Sequence, residues 1–403
     1  MSGITTDPRT TAARTPPRRG VSLSWSDPRL RNIVWQVVIL GAVAAAVWYL
    51  VGNTTRNLEA RRIATGFDFL GRTAGIPIGE HLIPYDPAVH TYGRAIWIGV
   101  LNTLKVAVVG IVLATLLGTV IGVARLSHNW LVARLAAVYV EVIRDVPLLL
   151  QLLFWYSLLQ VLPPPRQAFN PVTGVFLSNR GIKIPTLEWQ PGYGWVLAAF
   201  AAGSLATWLW SRAAARRQAA TGIRPPVWPV ALAGMLGLPV LAWWASGVPF
   251  ALDVPVLRGF NFAGGATISP EYGALLIGLV VYTASFIAEI VRSGIQSVPQ
   301  GQWEAGGALG LHRGTVLRRI VLPQALRVII PPMTSQYLNL TKNSSLAVAI
   351  GYQDVVSIAN TTLNQTGQAI EGIALIMAVY LVISLSISLF MNWYNARIAL
   401  VER

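Results

Sequence analysis

Residues 301–310 read GQWEAGGALG, and residues 320–323 read IVLP. This stretch predicts a short helix that starts at Glu304 and is ended by Gly310, which readily adopts the left-handed conformation that follows a helix. Pro323 fits the first turn of the next helix, where its missing N–H is not needed. The short helix exposes alanine and glycine together with the carboxylate of Glu304. It therefore suits close contact with a basic site on another protein.

Long apolar runs lie on both sides of this loop. The chain of 403 residues is 54% hydrophobic and only 12% charged, a balance typical of membrane proteins. We predict an all-α, polytopic protein with eight transmembrane helices, because each run is long enough to cross a hydrocarbon core of about 30 Å. A cleaved signal peptide is the alternative for the first run, although the long tail before it favours an uncleaved helix. The runs are 33–51, 97–124, 135–161, 193–210, 228–246, 272–293, 325–350 and 372–392.

The charge pattern also indicates a membrane protein. The net charge is +15, but the basic residues punctuate the apolar runs and form no single face, so we expect no nucleic-acid partner. Arginines before the first run and in alternate loops place the N- and C-termini in the cytoplasm. The chain has no cysteine and four scattered histidines, so we expect no disulfide and no metal site. It has no G-x-x-x-x-G-K-[ST] phosphate loop, so any ATP that its function needs is expected to bind to another chain.

Composition divides the chain into five segments. We expect a disordered cytoplasmic tail first, because its residues are basic and proline-rich with little apolar content. A proline- and glycine-rich insertion with two further helices separates the two parts of the helical core. The segments are the tail 1–32, the first helix with an extracytoplasmic segment 33–96, the core 97–161, the insertion 162–270, and the core 271–403 with the loop 300–323.

The loop carries a family resemblance. Glu304, Ala305 and Gly306, with Gly310 and the Ile-x-Leu-Pro that ends at Pro323, resemble the EAA loop of bacterial ABC-importer permeases. In that family the loop forms a coupling helix that sits in a groove of the ATPase subunit. Gly306 stands where the motif usually has alanine, which lowers helix propensity. The resemblance implies that the coupling residues are Gln302, Trp303, Glu304, Ala305, Gly306, Gly307, Gly310 and Pro323.

Flanking segments narrow the family. YVEVIRDVPLLLQ at 139–151, AEIVRSGI at 288–295 and KNSSL at 342–346 resemble the polar amino-acid permeases, the histidine and glutamine uptake group. The extra first helix and the two-helix insertion resemble the larger permease of general L-amino-acid or glutamate/glutamine/aspartate/asparagine systems. The resemblance implies a type I core of five helices in the bacterial inner membrane. It also implies ATPase subunits that hold ATP and magnesium, a second permease chain or copy, a periplasmic amino-acid-binding protein and surrounding membrane lipid.

Charged residues inside the predicted spans need partners, because each costs roughly 2.5–3.5 kcal/mol on insertion. We predict one ion-pair network between two helices. It can serve as a static clasp or as a gate that rearranges during transport. Its members are Glu141, Arg144, Asp145, Glu289 and Arg292.

The run 325–350 is polar for a membrane span. Pro331 and Pro332 are predicted to interrupt it, and broken polar helices usually line a cavity. Lys342 can attract a substrate carboxylate or reach the outer interface. Lys105 can face the pathway or pair with a carboxylate. The candidates for the translocation path are Gln151, Gln336, Asn339, Lys342, Asn343 and Ser345.

Three other functions are weighed. An ion-gradient-driven secondary transporter predicts inverted repeats, and the sequence contains no sustained repeat. A membrane scaffold or enzyme does not need the 301–323 motif. The same motif argues against an export permease.

Overall fold

The computed structural model describes residues 28–60, 65–247 and 251–398, and these are mostly helical. The chain divides into two units, Met1–Gly66 and Phe67–Arg403. The described part of the first unit is mainly helix α1, Pro28–Ala60. This helix begins inside the predicted tail, since proline is favoured at helix starts. The prediction of disorder for residues 1–27 lies outside the described residues.

The second unit is a helical bundle with small β-sheets. Its longest helices are α2 (Tyr92–Ala124), α5 (Tyr193–Thr221), α8 (Pro270–Gln296), α11 (Leu322–Asn343) and α13 (Ala369–Ile398). The shorter ones are α3 (Trp130–Asp145), α4 (Leu148–Gln160), α6 (Trp228–Leu232), α7 (Leu238–Ser246), α9 (Gln300–Ala308), α10 (Arg313–Val316) and α12 (Val355–Thr366).

Within the described residues, six helices are long and apolar enough to cross a membrane. They are Leu30–Asn57, Tyr92–Ala124, Tyr193–Thr221, Trp228–Ser246, Pro270–Gln296 and Ala369–Arg397. Six of the predicted spans fall on these helices. The spans predicted over 135–161 and 325–350 are not among them, so the count of eight stays a prediction.

Helix α8 lies at the centre of the unit, and α2, α3, α4 and α11 pack against it. Helix α2 approaches α8 closely at Gly118 and Gly122. A Cβ atom on Gly118 would lie 2.7 Å from the Cβ of Ile287, and one on Gly122 would lie 2.7 Å from the carbonyl oxygen of Ala288. Gly118 and Gly122, four residues apart on one face of α2, therefore mark a helix–helix contact that admits no side chain.

The predicted span over 135–161 is wrong as a single helix, because the chain breaks between α3 and α4. Val146 is extended at φ −89° and ψ 124°, as expected for a residue before proline. The buried amide of Gln151 donates to the carbonyl oxygens of Ile143 and Val146, both at 2.9 Å. Gln151 thus satisfies the carbonyls that the break leaves free. Its position supports a structural role, and its place on the translocation path stays a prediction.

The predicted interruption at Pro331 and Pro332 is also wrong, because both residues lie inside α11. Proline has a φ compatible with a helix, so α11 stays continuous through both residues although each removes a backbone donor. The α-helix ends instead at Asn343, and a 3-10 helix follows from Ser344 to Ile350. Pro323 lies in the first turn of α11 as predicted, although α10 continues into α11 through a π-helical turn without a loop.

The all-helical prediction omits eight short strands in the insertion. They form a four-stranded sheet in the order β1-β2-β3-β8 and two separate pairs, β4-β5 and β6-β7, all antiparallel. Runs of two to four residues carry too little alternation to be found in a sequence. The strands are β1 (Phe169–Val172), β2 (Val175–Ser178), β3 (Gly181–Ile184), β4 (Thr186–Leu187), β5 (Leu252–Asp253), β6 (Val256–Arg258), β7 (Asn261–Ala263) and β8 (Ala266–Ile268).

Candidate coupling and translocation site

The loop after α8 contains a helix, as predicted, although α9 starts four residues before Glu304. Its C-terminus is closed by two backbone hydrogen bonds. The N–H of Gly310 donates to the carbonyl of Gly307 at 2.9 Å, and the N–H of Leu311 donates to the carbonyl of Gly306 at 3.1 Å. Gly310 has φ +70°, as the prediction of a left-handed residue required. This double closure is a Schellman motif, and it gives the short helix a defined end.

One buried glycine holds α9 against α10. A Cβ atom on Gly306 would lie 2.7 Å from a methyl carbon of Val316, well inside contact distance. The half-buried Trp303 packs against the main hydrophobic core, and the guanidinium of Arg313 lies 5.8 Å from the centre of its ring. Gly306 therefore departs from the usual alanine for a packing reason, and α9 is anchored on its inner side.

The outer side of α9 is exposed and smooth. Glu304, Ala305 and Gly307 are exposed, and Leu309 after the helix is 77% exposed. Among the described residues, no ion pair involves Glu304. An exposed carboxylate beside small side chains leaves this face free for another protein. Gln302 is tied to α11, since its amide oxygen accepts from the side-chain amide of Gln324 at 3.3 Å.

A cleft of about 1190 Å³ borders α9. Its walls are the end of α2 with the following segment 126–128, the end of α8, and the side of α9 that carries Trp303 and Glu304. The exposed face of α9 and the neighbouring cleft therefore lie at the same end of the bundle.

The charged cluster that forms is smaller than the predicted network. Glu289 accepts from Arg292 at 2.5 Å and 3.2 Å, which confirms that pair, and it also pairs with Arg125 at the end of α2. Arg292 donates in addition to the side chain of Gln296 at 2.6 Å. The cluster joins the C-terminal parts of α2 and α8, which pack against each other. Sequence reasoning missed Arg125, which it assigned only to a loop.

The remaining members of the predicted network face the same region without joining it. Glu141, Arg144 and Asp145 are exposed and share a cleft of about 430 Å³ with Arg125 and Glu289. The guanidinium of Arg144 lies 4.7 Å from the ring centre of Phe286 and forms no ion pair among the described residues. The prediction of a five-membered network is therefore wrong, because Arg125 takes the place at Glu289 that α3 was expected to fill.

Helix α11 carries a polar stripe on its exposed side. Ser335, Asn339 and Lys342 are spaced by four and three residues, so they share one face, and all three are exposed. Gln336, Asn343 and Ser345 are half-buried instead, and the Ser345 hydroxyl donates to the Lys342 carbonyl at 2.8 Å. No acid pairs with Lys342 among the described residues. The structure thus places two of the predicted path residues, Asn339 and Lys342, on the exposed stripe beside Ser335, and three in half-buried positions.

Lys105 pairs with a carboxylate, one of the two alternatives left by the sequence. Its ammonium lies 3.0 Å from a carboxylate oxygen of Glu80 and 4.0 Å from the ring centre of Tyr272. Sequence reasoning missed Glu80, since nothing in its neighbourhood indicates contact with a residue in the next helix.

Membrane-length helices, an exposed polar stripe and a protruding helical loop together define a polytopic transport protein. The chain belongs to the family of binding-protein-dependent transport system inner membrane components, whose model matches residues 110–400.

Three curated relatives match almost the whole chain. One is a "Putative amino-acid ABC transporter permease protein YhdX" of Escherichia coli (strain K12), 52% identical over 95% of this chain and 98% of the relative. The "General L-amino acid transport system permease protein AapQ" of Rhizobium johnstonii is 49% identical over 97% of this chain and 99% of the relative. The "Glutamate/glutamine/aspartate/asparagine transport system permease protein BztB" of Rhodobacter capsulatus is 43% identical with the same two coverages.

Proposed function

We propose that this chain is the permease subunit of an ATP-driven importer of polar L-amino acids in the bacterial inner membrane. Near-complete alignment with three amino-acid permeases of 43–52% identity supports the substrate class. Motion is driven from outside the chain, by ATPase subunits that hold ATP and magnesium. A periplasmic amino-acid-binding protein delivers the substrate.

The proposed topology has eight crossings, with both termini in the cytoplasm. In addition to the six long helices, α3 with α4 makes one crossing and α11 with its 3-10 extension makes another. The arginines before the first helix and in every second loop, which lie on one side in this topology, support this orientation. It places α9 and the Arg125–Glu289–Arg292 cluster on the cytoplasmic side, and the β-sheets of the insertion on the outside.

The single observation that carries the proposal is the geometry of α9. This helix is anchored inward through Gly306 on Val316 and presents Glu304 on an otherwise small-residue outer face. An anchored helix of this kind transmits a push from a docked ATPase to α8, which precedes it in the chain. Through α10, which follows it, the push also reaches α11. The permease then alternates between two packings whose free energies differ by a few kcal/mol.

The exposed stripe of Ser335, Asn339 and Lys342 is the proposed lining of the path. Polar groups within a membrane helix are costly against lipid, so this face needs water or protein on it. A second permease chain or copy, packed across this face, encloses the path. Lys342 then offers a cation to the substrate carboxylate.

Purification of the tagged chain from its own membranes in mild detergent tests the assembly. Glu304→Lys reverses the exposed charge on α9, whereas Glu188→Lys makes the same change on an exposed residue of the insertion. We expect an ATPase to co-purify with the wild type and with Glu188→Lys but not with Glu304→Lys. An absence of ATPase from all three preparations would contradict the importer and favour gradient-driven transport.

A further inference from the structure

The segment between α1 and α2 packs on the bundle through one of its faces. Its residues alternate strictly between buried and exposed from Ala74 to Gly79. Ala74, Ile76 and Ile78 are 2%, 2% and 8% exposed, and they join a hydrophobic core that includes Val355 of α12. The alternation gives the segment one buried face, although Gly75 has φ +62° and the segment is not a regular strand. The segment is therefore part of the packed unit and not a surface loop.

Glu80 ends this segment with contacts to two different helices. Its carboxylate lies 3.0 Å from the ammonium of Lys105 on α2 and accepts from the backbone N–H of Ser269 at 3.0 Å. Ser269 is the N-terminal cap of α8. The backbone carbonyl of Glu80 also accepts from the amide of Asn102 at 2.9 Å. One residue thus links the middle of α2 to the start of α8.

Gln353 links the same segment to α12. Its amide oxygen accepts from the backbone N–H of Gly79 at 2.7 Å, and its amide nitrogen donates to the carbonyl of Pro77 at 2.7 Å. The amide of Asn102 reaches the carbonyl of Gln353 at 2.9 Å. Residues 77–80, named here the outer clamp, are therefore bonded to three elements that are far apart in the sequence.

We propose that the outer clamp holds the middle of α2 and the N-terminal ends of α8 and α12 together as one rigid body throughout the transport cycle. The proposal rests on the proposed function, which places these ends on the outside of the membrane. Opening toward the outside then occurs between this body and the rest of the transporter, and not between α2, α8 and α12.

The number and kind of contacts favour a fixed body over a gate. Separation of the clamp would leave a partly buried carboxylate, an ammonium and several amide groups without partners, and it would expose the core under Ile76 and Ile78. A transport switch needs two states of similar free energy. Loss of so many contacts at once does not meet that condition.

Because the chain has no cysteine, thiol cross-linking tests the clamp directly. Gly79→Cys fits, since a Cβ atom there meets only the Gln353 amide oxygen at 3.9 Å. Gly79→Cys with Gln353→Cys is joined by a short bis-thiosulfonate spacer in the complete transporter in membrane vesicles. ATP-driven uptake is then measured before cross-linking, after it, and after reduction.

We expect the cross-linked transporter to keep at least about half of its uptake rate, because no required motion is blocked. A loss of about tenfold or more that is reversed by reduction would overturn the clamp and identify a gate. Failure of the pair to cross-link would overturn it too, because the two positions would not be neighbours. Glu80→Cys with Lys105→Cys repeats the measurement on α2.

A second pair controls for damage by the chemistry. Thr73 and Thr91 face each other in an antiparallel bridge, flanked by the bonds Ala74 N–H to His90 and Tyr92 N–H to Arg72. A disulfide between Thr73→Cys and Thr91→Cys fastens the base of the segment without touching α8 or α12. Uptake is expected to persist in this variant. Absence of ATP-driven amino-acid uptake in the wild type would refute the proposed function, whereas a loss confined to the cross-linked clamp would overturn the clamp alone.

Discussion

Gly306→Ala tests how α9 is attached to the bundle. The added methyl carbon would lie 2.7 Å and 3.0 Å from the two methyl carbons of Val316, where about 3.5–4.0 Å is the normal separation. Val316 is 2% exposed and β-branched, so it has little room to turn away. Overpacking of this kind costs about 1–3 kcal/mol. Alanine returns up to about 1 kcal/mol of helix propensity, so the net loss is about 0–2 kcal/mol.

Gly307→Ala is the matched control. Position 307 is exposed, and a Cβ atom there meets nothing within 4 Å, so the control gains helix propensity without a collision. The free-energy difference between the two variants isolates the overlap with Val316 at about 1–3 kcal/mol. Each 1.4 kcal/mol corresponds to about tenfold in the population of the detached helix.

Hydrogen exchange of the α9 amides in the purified chain measures this population. We expect the amides of residues 304–308 to exchange about tenfold faster or more in Gly306→Ala than in Gly307→Ala. Val316→Ala, combined with Gly306→Ala, removes the collision and should restore part of the protection. Equal protection in Gly306→Ala and Gly307→Ala would refute the reasoning, because α9 would then not rest on Val316.

Three further predictions concern other parts of the molecule. Glu289→Gln removes the carboxylate shared by Arg125 and Arg292, whose side chains and that of Glu289 are 15–30% exposed. We expect the free energy of unfolding to fall by about 1 kcal/mol. ATP-driven uptake should be reduced while the ATPase stays bound. Gly118→Ala places a carbon 2.7 Å from Ile287 in the α2–α8 contact and should lower the thermal midpoint by overpacking, at about 1–3 kcal/mol. Burial raises the pKa of Asp354 from 3.8 to about 7. As pH rises, the Asp354 carboxyl loses its proton at a lower pH in the unfolded chain than in the folded one, so the wild-type stability falls from about pH 4 to about pH 7. Relative to Asp354→Asn, the free energy of unfolding of the wild type should fall by about 2–3 kcal/mol between pH 5 and pH 8.

Each of these three predictions has an outcome that would contradict it or decide between its alternatives. For Glu289→Gln, normal uptake would exclude a gate at this cluster and leave a static clasp. For Gly118→Ala, the comparison is Gly194→Ala, where a Cβ atom meets nothing within 4 Å, and equal thermal midpoints would contradict the close contact. Asparagine at 354 keeps the cap on the Ser357 N–H, which Asp354 now accepts at 2.8 Å. A stability difference independent of pH would show that Asp354 titrates normally.

The sequence predicts those features that depend on local pattern. Apolar runs identify six of the membrane-length helices because length and hydropathy are local properties. The end of α9 is predicted from Gly310 alone, since a left-handed turn residue depends on its own backbone. The interruption assigned to Pro331 and Pro332 fails because proline lowers helix propensity without dictating the backbone of a packed helix.

Features that depend on long-range contact are not predicted. Arg125 meets Glu289 across 164 positions, and Glu80 meets Ser269 across 189, so neither pairing has a local signal. The four-stranded sheet likewise joins β3 to β8 across the two inserted helices. Gly306 illustrates the same limit, because only the position of Val316 explains why a glycine is needed.

The central claim is that ATP hydrolysed by a partner drives amino-acid uptake through this chain. The most direct test is uptake of radiolabelled glutamate and glutamine by the complete complex, with its binding protein, in sealed proteoliposomes loaded with or without ATP. The account predicts accumulation that requires ATP, survives ionophores that collapse proton and sodium gradients, and is lost with Glu304→Lys. Uptake that proceeds without ATP and is abolished by the ionophores would contradict it.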